Sequence, residues 1–298
     1  MRLWFSLRDF ETLEKRQYVS STECGVNKAK NLHRGQQKLL MSEVQFLTTE
    51  LASLSQVALC VYVGACSGYA QSHLPLLMNM FPATRWLLCD PLFEENHTRP
   101  LEPYRDQGRV SVYTDFFTEE TARFVHDYMT GNTQNELSHL LDHLRARECE
   151  LILFISDLRS ENADEGVILD DMQLQYNMFL AMPCANSAIL KFRPPYPNHS
   201  ISISHPIFRD NILTYPMGKI LWPIFGAAQT TESRMIVKHH TKLGQYDCSK
   251  YEEIMYAFNL LKRPIFDYEA QKNIVTKYSQ KFNQHVPKEF LSRPRPQL

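Results

Sequence analysis

A chain of 298 residues, 44% hydrophobic and 22% charged, is long enough and apolar enough for one large α/β domain or two small ones. A formal net charge of -1 excludes a global basic field, so any nucleic-acid contact must rest on a local patch. Seven cysteines without a CxxC pair exclude a disulfide framework and a zinc site, and no metal is expected.

The opening MRLWFSLRDF is too short an apolar run for a signal peptide, and no stretch reaches the length of a membrane span. An intracellular, reducing compartment is expected: cytoplasm, nucleus or virion interior. Residues 1–33 are polar and mixed and read as an arm. GQQKLLMSEVQFLTTELASL then places Leu39, Leu40, Val44, Leu47, Leu51 and Leu54 at helical spacing, with Lys38 in the first turn. VALCVYV is a buried strand, YAQSHLPLLMNMF a helix, TRWLLCD a second strand and GRVSVYTD a third. Thr118 to Arg147 is helical with a break near Gly131. CELILFISD is a fourth strand, DDMQLQYNMFLAM a helix and NSAILKFR a fifth strand. Strands near Lys219 to Ile224 and at SRMIVKHH follow, then a helix from Ser249 to Leu261. The alternation from Val57 to Arg193 demands a mostly parallel sheet with helices on both faces. The segment from Gln271 onward holds six Lys or Arg against one Glu, which suits either a solvated basic tail or an RNA-tracking one.

The turn after the first strand, GACSG, raises the functional question. Gly64 and Gly68 let the backbone approach a ligand closely. The spacing is neither the dinucleotide fingerprint nor the P-loop, and no Lys-Ser or Lys-Thr follows to hold a triphosphate. Asp90 ends the second strand, placed to accept from ribose hydroxyls. Glycine loop plus acid, without phosphate-binding residues, suits a nucleoside cofactor lacking a pyrophosphate, and S-adenosylmethionine is the candidate. A plain strand-to-helix turn with Asp90 as a cap is the competing reading.

Four charged residues stand beside apolar runs: Lys38, Asp157 in ISDLRS, Lys191 in LKFRPP and Glu232 in TESRM. Each alone reads as a surface end position; together they ask for pairing. The motifs GQQKLLMSEVQFL, ISDLRS, LKFRPPYP, TESRM and YEEIMYAFN, in this order between about residues 30 and 262, resemble the poxvirus cap-specific 2'-O-methyltransferase family, which also serves as the small processivity subunit of the viral poly(A) polymerase. The resemblance implies a Rossmann-like methyltransferase fold over 34–262, between the arm and a basic tail at 263–298. It implies S-adenosylmethionine as donor and the capped mRNA 5' end as substrate. A poly(A) polymerase catalytic subunit or another mRNA-processing protein is the implied partner, with no membrane. The K-D-K-E tetrad falls on Lys38, Asp157, Lys191 and Glu232. The cofactor set falls on Gln36, Gly64, Gly68, Asp90 and Asp157, and Phe117 is counted with it. The chain departs from the family at Ser67, where a proline is usual, and at Pro91 and Leu92, where Gly-Arg is usual.

In this chemistry a ribose 2'-hydroxyl must be oriented and must lose its proton. Lys191 is the expected proton acceptor or steering group, its pKa lowered by Lys38, while Asp157 and Glu232 hold the lysines. The cap's N7-methylguanine is a flat cation, read by aromatic faces and carboxylates. The resemblance puts Tyr196, Asn198 and Glu252 there, with Tyr18 as a second aromatic wall. Asn198 replaces a family Asp, and Gln229 replaces a pocket Tyr. Two alternatives remain: a non-catalytic RNA-binding or processivity subunit on the same fold, and a methyltransferase of another RNA.

Overall fold

The computed structural model describes residues 1–19, 34–66, 73–131, 135–160, 164–197, 204–226 and 229–291. Its strands, in chain order, are β1 (Trp4–Phe5), β2 (Ala58–Val63), β3 (Thr84–Cys89), β4 (Val110–Tyr113), β5 (Leu151–Ser156), β6 (Ser187–Phe192), β7 (Phe208–Arg209), β8 (Ile212–Pro216), β9 (Lys219–Leu221), β10 (Ser233–Val237) and β11 (Leu243–Asp247). The chain divides into two interleaved units. One comprises Phe46–Arg159, Leu174–Leu190 and Lys277–Leu298. The other comprises Met1–Gln45, Ser160–Gln173 and Lys191–Thr276. β6 starts in the first and ends, at Lys191 and Phe192, in the second.

The first unit carries a parallel sheet in the order β6-β5-β2-β3-β4. ALCVYV and LILFIS supply its centre because a strand covered on both faces needs side chains that are apolar throughout; all six residues of β2 are buried. The chain lays β3 and β4 on one side of β2, then crosses back to place β5 on the other. That reversal makes the carboxyl ends of β2 and β5 a topological switch point, where α/β sheets bind ligands. The Glu119–Thr130 helix begins where the Thr118 hydroxyl accepts from the Thr121 amide at 3.2 Å, and it stops at Gly131, whose φ of 88° no helix can continue.

The second unit is antiparallel. β1, β9 and β10 pair in that order, Trp4 facing Leu221 and Arg234 facing Leu221. β11, β8 and β7 form a separate three-stranded sheet. Its core is aromatic: Phe5 packs on Trp222 at 4.2 Å, and Phe192 meets Tyr246 and Tyr251 at 5.3 Å each.

The strands read from β2 to β6 stand where the sequence places them. The first helix runs over Arg34–Glu50, so Lys38 lies one turn inside it, and the helix preceding β6 starts early, at Glu165. The arm contributes β1 and the buried Phe5 and Phe10. The basic segment opens with a helix, Arg263–Phe282, that buries Ala270, Ile274 and Tyr278. Among the described residues no helix is long and apolar enough to cross a membrane.

Candidate functional site

At the switch point Gly64 sits at φ +74°, and its amide donates to the Cys89 carbonyl at 2.9 Å. A Cβ there would lie 2.8 Å from the Asp157 carbonyl carbon and 2.9 Å from its oxygen. The Asp157 amide in turn donates to the Val63 carbonyl at 2.9 Å. The loops leaving β2 and β5 therefore touch backbone to backbone, which alone requires a glycine at 64. Asp90 is buried, with one carboxylate oxygen accepting from the Cys66 amide and the other from the Leu92 amide, both at 2.9 Å. It thus ties the glycine turn to the end of β3. A carboxylate has about four acceptor positions, and these bonds take two of them among the described residues. Phe117 is buried with its ring 6.3 Å from Phe154. Gly68, the Gln36 side chain and Asn198 lie outside what the structure describes.

The second unit gathers three cations on one carboxylate. Lys38, on the first helix, is buried, and its Nζ lies 2.6 Å from Glu232 Oε1. Arg234 Nη1, from β10, lies 3.2 Å from the same oxygen. Lys191 Nζ, from the last residues of β6, is 3.9 Å from Glu232 Oε2. Burial pushes the Lys38 pKa down to about 8, Arg234 and Lys191 push the same way, and Glu232 opposes them. Burial thus drives Lys38, the member assigned as the helping cation on sequence grounds, toward neutrality. Asp157, the tetrad's remaining member, directly follows β5 in the parallel-sheet unit.

An aromatic and acidic group occupies the same second unit. The Tyr18 and Tyr196 rings stand 5.8 Å apart at 45°, and Tyr256 meets Tyr18 edge-on at 5.4 Å. The Arg193 guanidinium covers a face of Tyr196 at 4.6 Å and donates to Glu165 Oε1 at 2.6 Å. The Tyr196 amide donates to the other Glu165 oxygen at 3.4 Å. Burial pushes the Tyr18 hydroxyl up to about 12, and Tyr196 and Glu252 add to it. Tyr18 and Tyr196 thus stand together, and Glu252 is near enough to act on the Tyr18 hydroxyl.

The family described as the poly A polymerase regulatory subunit matches residues 9–296. The chain belongs to that family. No curated protein matches it.

For this family member, motif reading missed Arg193, Glu165 and Arg234. Arg193 and Arg234 were visible as charges alternating with Lys191 and Glu232 along strand segments, a period-2 signal that points them to the same side as those residues. Glu165 gave no such signal, since it acts through a partner distant in sequence. Glu252 provides a pH test of the cluster. Burial raises its carboxyl from 4.5 to about 7, with Glu253 and Glu165 adding. Between those values the folded chain holds a proton that the unfolded chain releases, so this group's contribution to stability falls as pH rises from 4.5 through 7. Glu252→Gln should leave stability at pH 5 nearly unchanged and raise it at pH 8 by about 1 kcal/mol, discounted for partial exposure. Urea midpoints at the two pH values measure this; equal shifts at both would remove the assigned titration.

Proposed function

We propose that this chain works on mRNA as the regulatory partner of a catalytic poly(A) polymerase and, on the same fold, as a 2'-O-methyltransferase of the capped 5' end. Family membership over residues 9–296 carries the first part. Its test is direct: the purified chain should bind a catalytic polymerase subunit and lengthen the tails it makes, and unchanged tail length would refute this role.

The second part rests on the Lys38–Glu232–Lys191 cluster. A surface that only binds RNA has no need to bury one lysine against a carboxylate while holding another at its far oxygen. The cofactor argument is one of fit. Asp90, with two of its acceptor positions taken among the described residues, can still accept from ribose hydroxyls, and the Gly64–Cys66 turn lies at a switch point. S-adenosylmethionine, when bound, supplies a methyl group activated on a sulfonium sulfur. The chain's own residues supply the rest. Lys191 orients the ribose 2'-hydroxyl. Glu232 fixes both lysines. Lys38, with a pKa about one unit above neutrality, is the group that takes up the proton. The rate of methyl transfer should therefore rise with pH up to about 8 and level off above it.

Labelled methyl donor with capped and uncapped short RNA tests this reading. Label should appear on the ribose of a nucleotide next to the cap. Lys191→Ala should lower the single-turnover rate at least ~10²-fold, leaving tail lengthening as in the wild type. A rate near wild type would take Lys191 out of the mechanism, and no label with any RNA would leave the regulatory role alone standing.

A further inference from the structure

The Tyr18 ring reaches Tyr196 from the far end of the sequence, and its backbone is held at two points. The Arg16 amide donates to the Glu253 carbonyl at 3.1 Å. The Val19 carbonyl accepts from Gln229 Nε2 at 2.8 Å. We propose that Gln229 is a positioning residue that holds the 16–19 segment as a strap, so that Tyr18 forms one wall of a stacking site for a flat cationic base. This rests on the reading of Tyr18, Tyr196 and Glu252 as a base-binding cluster.

Three observations support it. First, the support is rigid. The carbonyl of Thr230 accepts from Asn259 at 3.0 Å, and that of Thr231 accepts from the Tyr251 hydroxyl at 2.6 Å, so the residues following Gln229 are fastened to the helical segment from Cys248 onward. Second, the anchors flank the ring. They lie two residues before and one residue after Tyr18, so the backbone is held apart from the ring, which has its own contacts: a side-chain hydrogen bond with Tyr196 and the edge of Tyr256. Third, a base can enter only if the ring exchanges those contacts for a new one. A base between two parallel rings requires about 7 Å, twice the ~3.5 Å contact distance. Tyr18 and Tyr196 stand at 5.8 Å and 45°. Tyr18 must swing outward by roughly 1 Å and turn parallel, and a fixed backbone makes that a change of side-chain torsion alone. Tyr196 has less latitude, because Arg193 already lies on one of its faces. The wall that adapts is Tyr18, and Gln229 sets where it adapts from.

The test uses the full chain and two dinucleotide cap analogues, one with N7-methylguanosine and one with unmethylated guanosine, with affinity measured by calorimetry. Gln229→Met keeps the length and removes the donor. It should weaken the methylated analogue at least fivefold. Gln229→Lys restores a donor and should recover affinity to within twofold. In a Tyr18→Ala background Gln229→Met should have no further effect, as expected when one residue acts through the other. Hydrogen exchange at the amides of residues 17–19 gives an independent readout: Gln229→Met should speed it and Gln229→Lys should not. Wild-type binding with an unaffected Gln229→Met variant would overturn the proposal, as would unchanged exchange. Faster exchange in a chain that binds neither analogue would keep the strap and reject the base-binding reading beneath it.

Discussion

Glu232→Ala should both unfold the chain at lower denaturant and end the proposed methyl transfer. Glu232 accepts from Lys38 and Arg234 and faces Lys191. Removing it leaves three cations around a vacated site, with Lys38 and Arg234 buried. Breaking a buried pair from one side costs about 3–5 kcal/mol, since the surviving charge keeps its desolvation penalty and loses its compensation. Glu232 also holds the Lys38 pKa up against burial. Glu232→Gln, which keeps the shape, should therefore move the rise of the pH–rate curve below 8. Urea unfolding and single-turnover rates between pH 6 and 9 decide the matter. An alanine variant of near wild-type stability would mean that Glu232 does not hold the cluster together.

Gly64→Ala should be about as costly, for a reason unrelated to charge. The new methyl group meets backbone atoms of Asp157 and Leu158 at 2.8 to 2.9 Å, and backbone cannot rotate away as a side chain can. Left-handed φ adds its own strain. Together these amount to roughly 2–5 kcal/mol. Gly131 supplies the control: its φ is +88° but a Cβ would meet nothing within 4 Å, so Gly131→Ala should cost only about 1 kcal/mol. Equal destabilisation by the two would show that the β2 and β5 loops do not meet as described.

The contrast between the two units also explains what the sequence disclosed. β2 and β5 are legible because full burial leaves a mark on every residue of the strand. β1 and β7 have two residues each, too few for any period to register, and β1 is a strand only because β9, which falls within the strand expected near Lys219 to Ile224, pairs with it. The Arg263–Phe282 helix carries its own period, with Phe266, Ala270, Ile274 and Tyr278 recurring every four residues, but the lysines between them give the segment the composition of a tail. At the sites, the tetrad residues and Asp90 stood out because each closes or adjoins an apolar run. The role of Asp90 did not: one of the two backbone amides its carboxylate ties, that of Cys66, lies 24 residues back along the chain, which no local pattern encodes.

The interleaving of the two units sets an order for biosynthesis. Trp4 leaves the ribosome well before Leu221, with which it pairs. At ~5–20 residues per second, that partner arrives roughly 10–40 s later. Through that interval Phe5 and Phe10, destined for the interior, have no interior to enter. The strands from β2 to β5 need nothing beyond Ser156 to pair with one another, so the parallel sheet can assemble while the antiparallel unit is still incomplete. The β1 segment stays unpaired until β9 emerges, and a ribosome stalled before residue 219 would release a chain in which β1 lacks its partner strand.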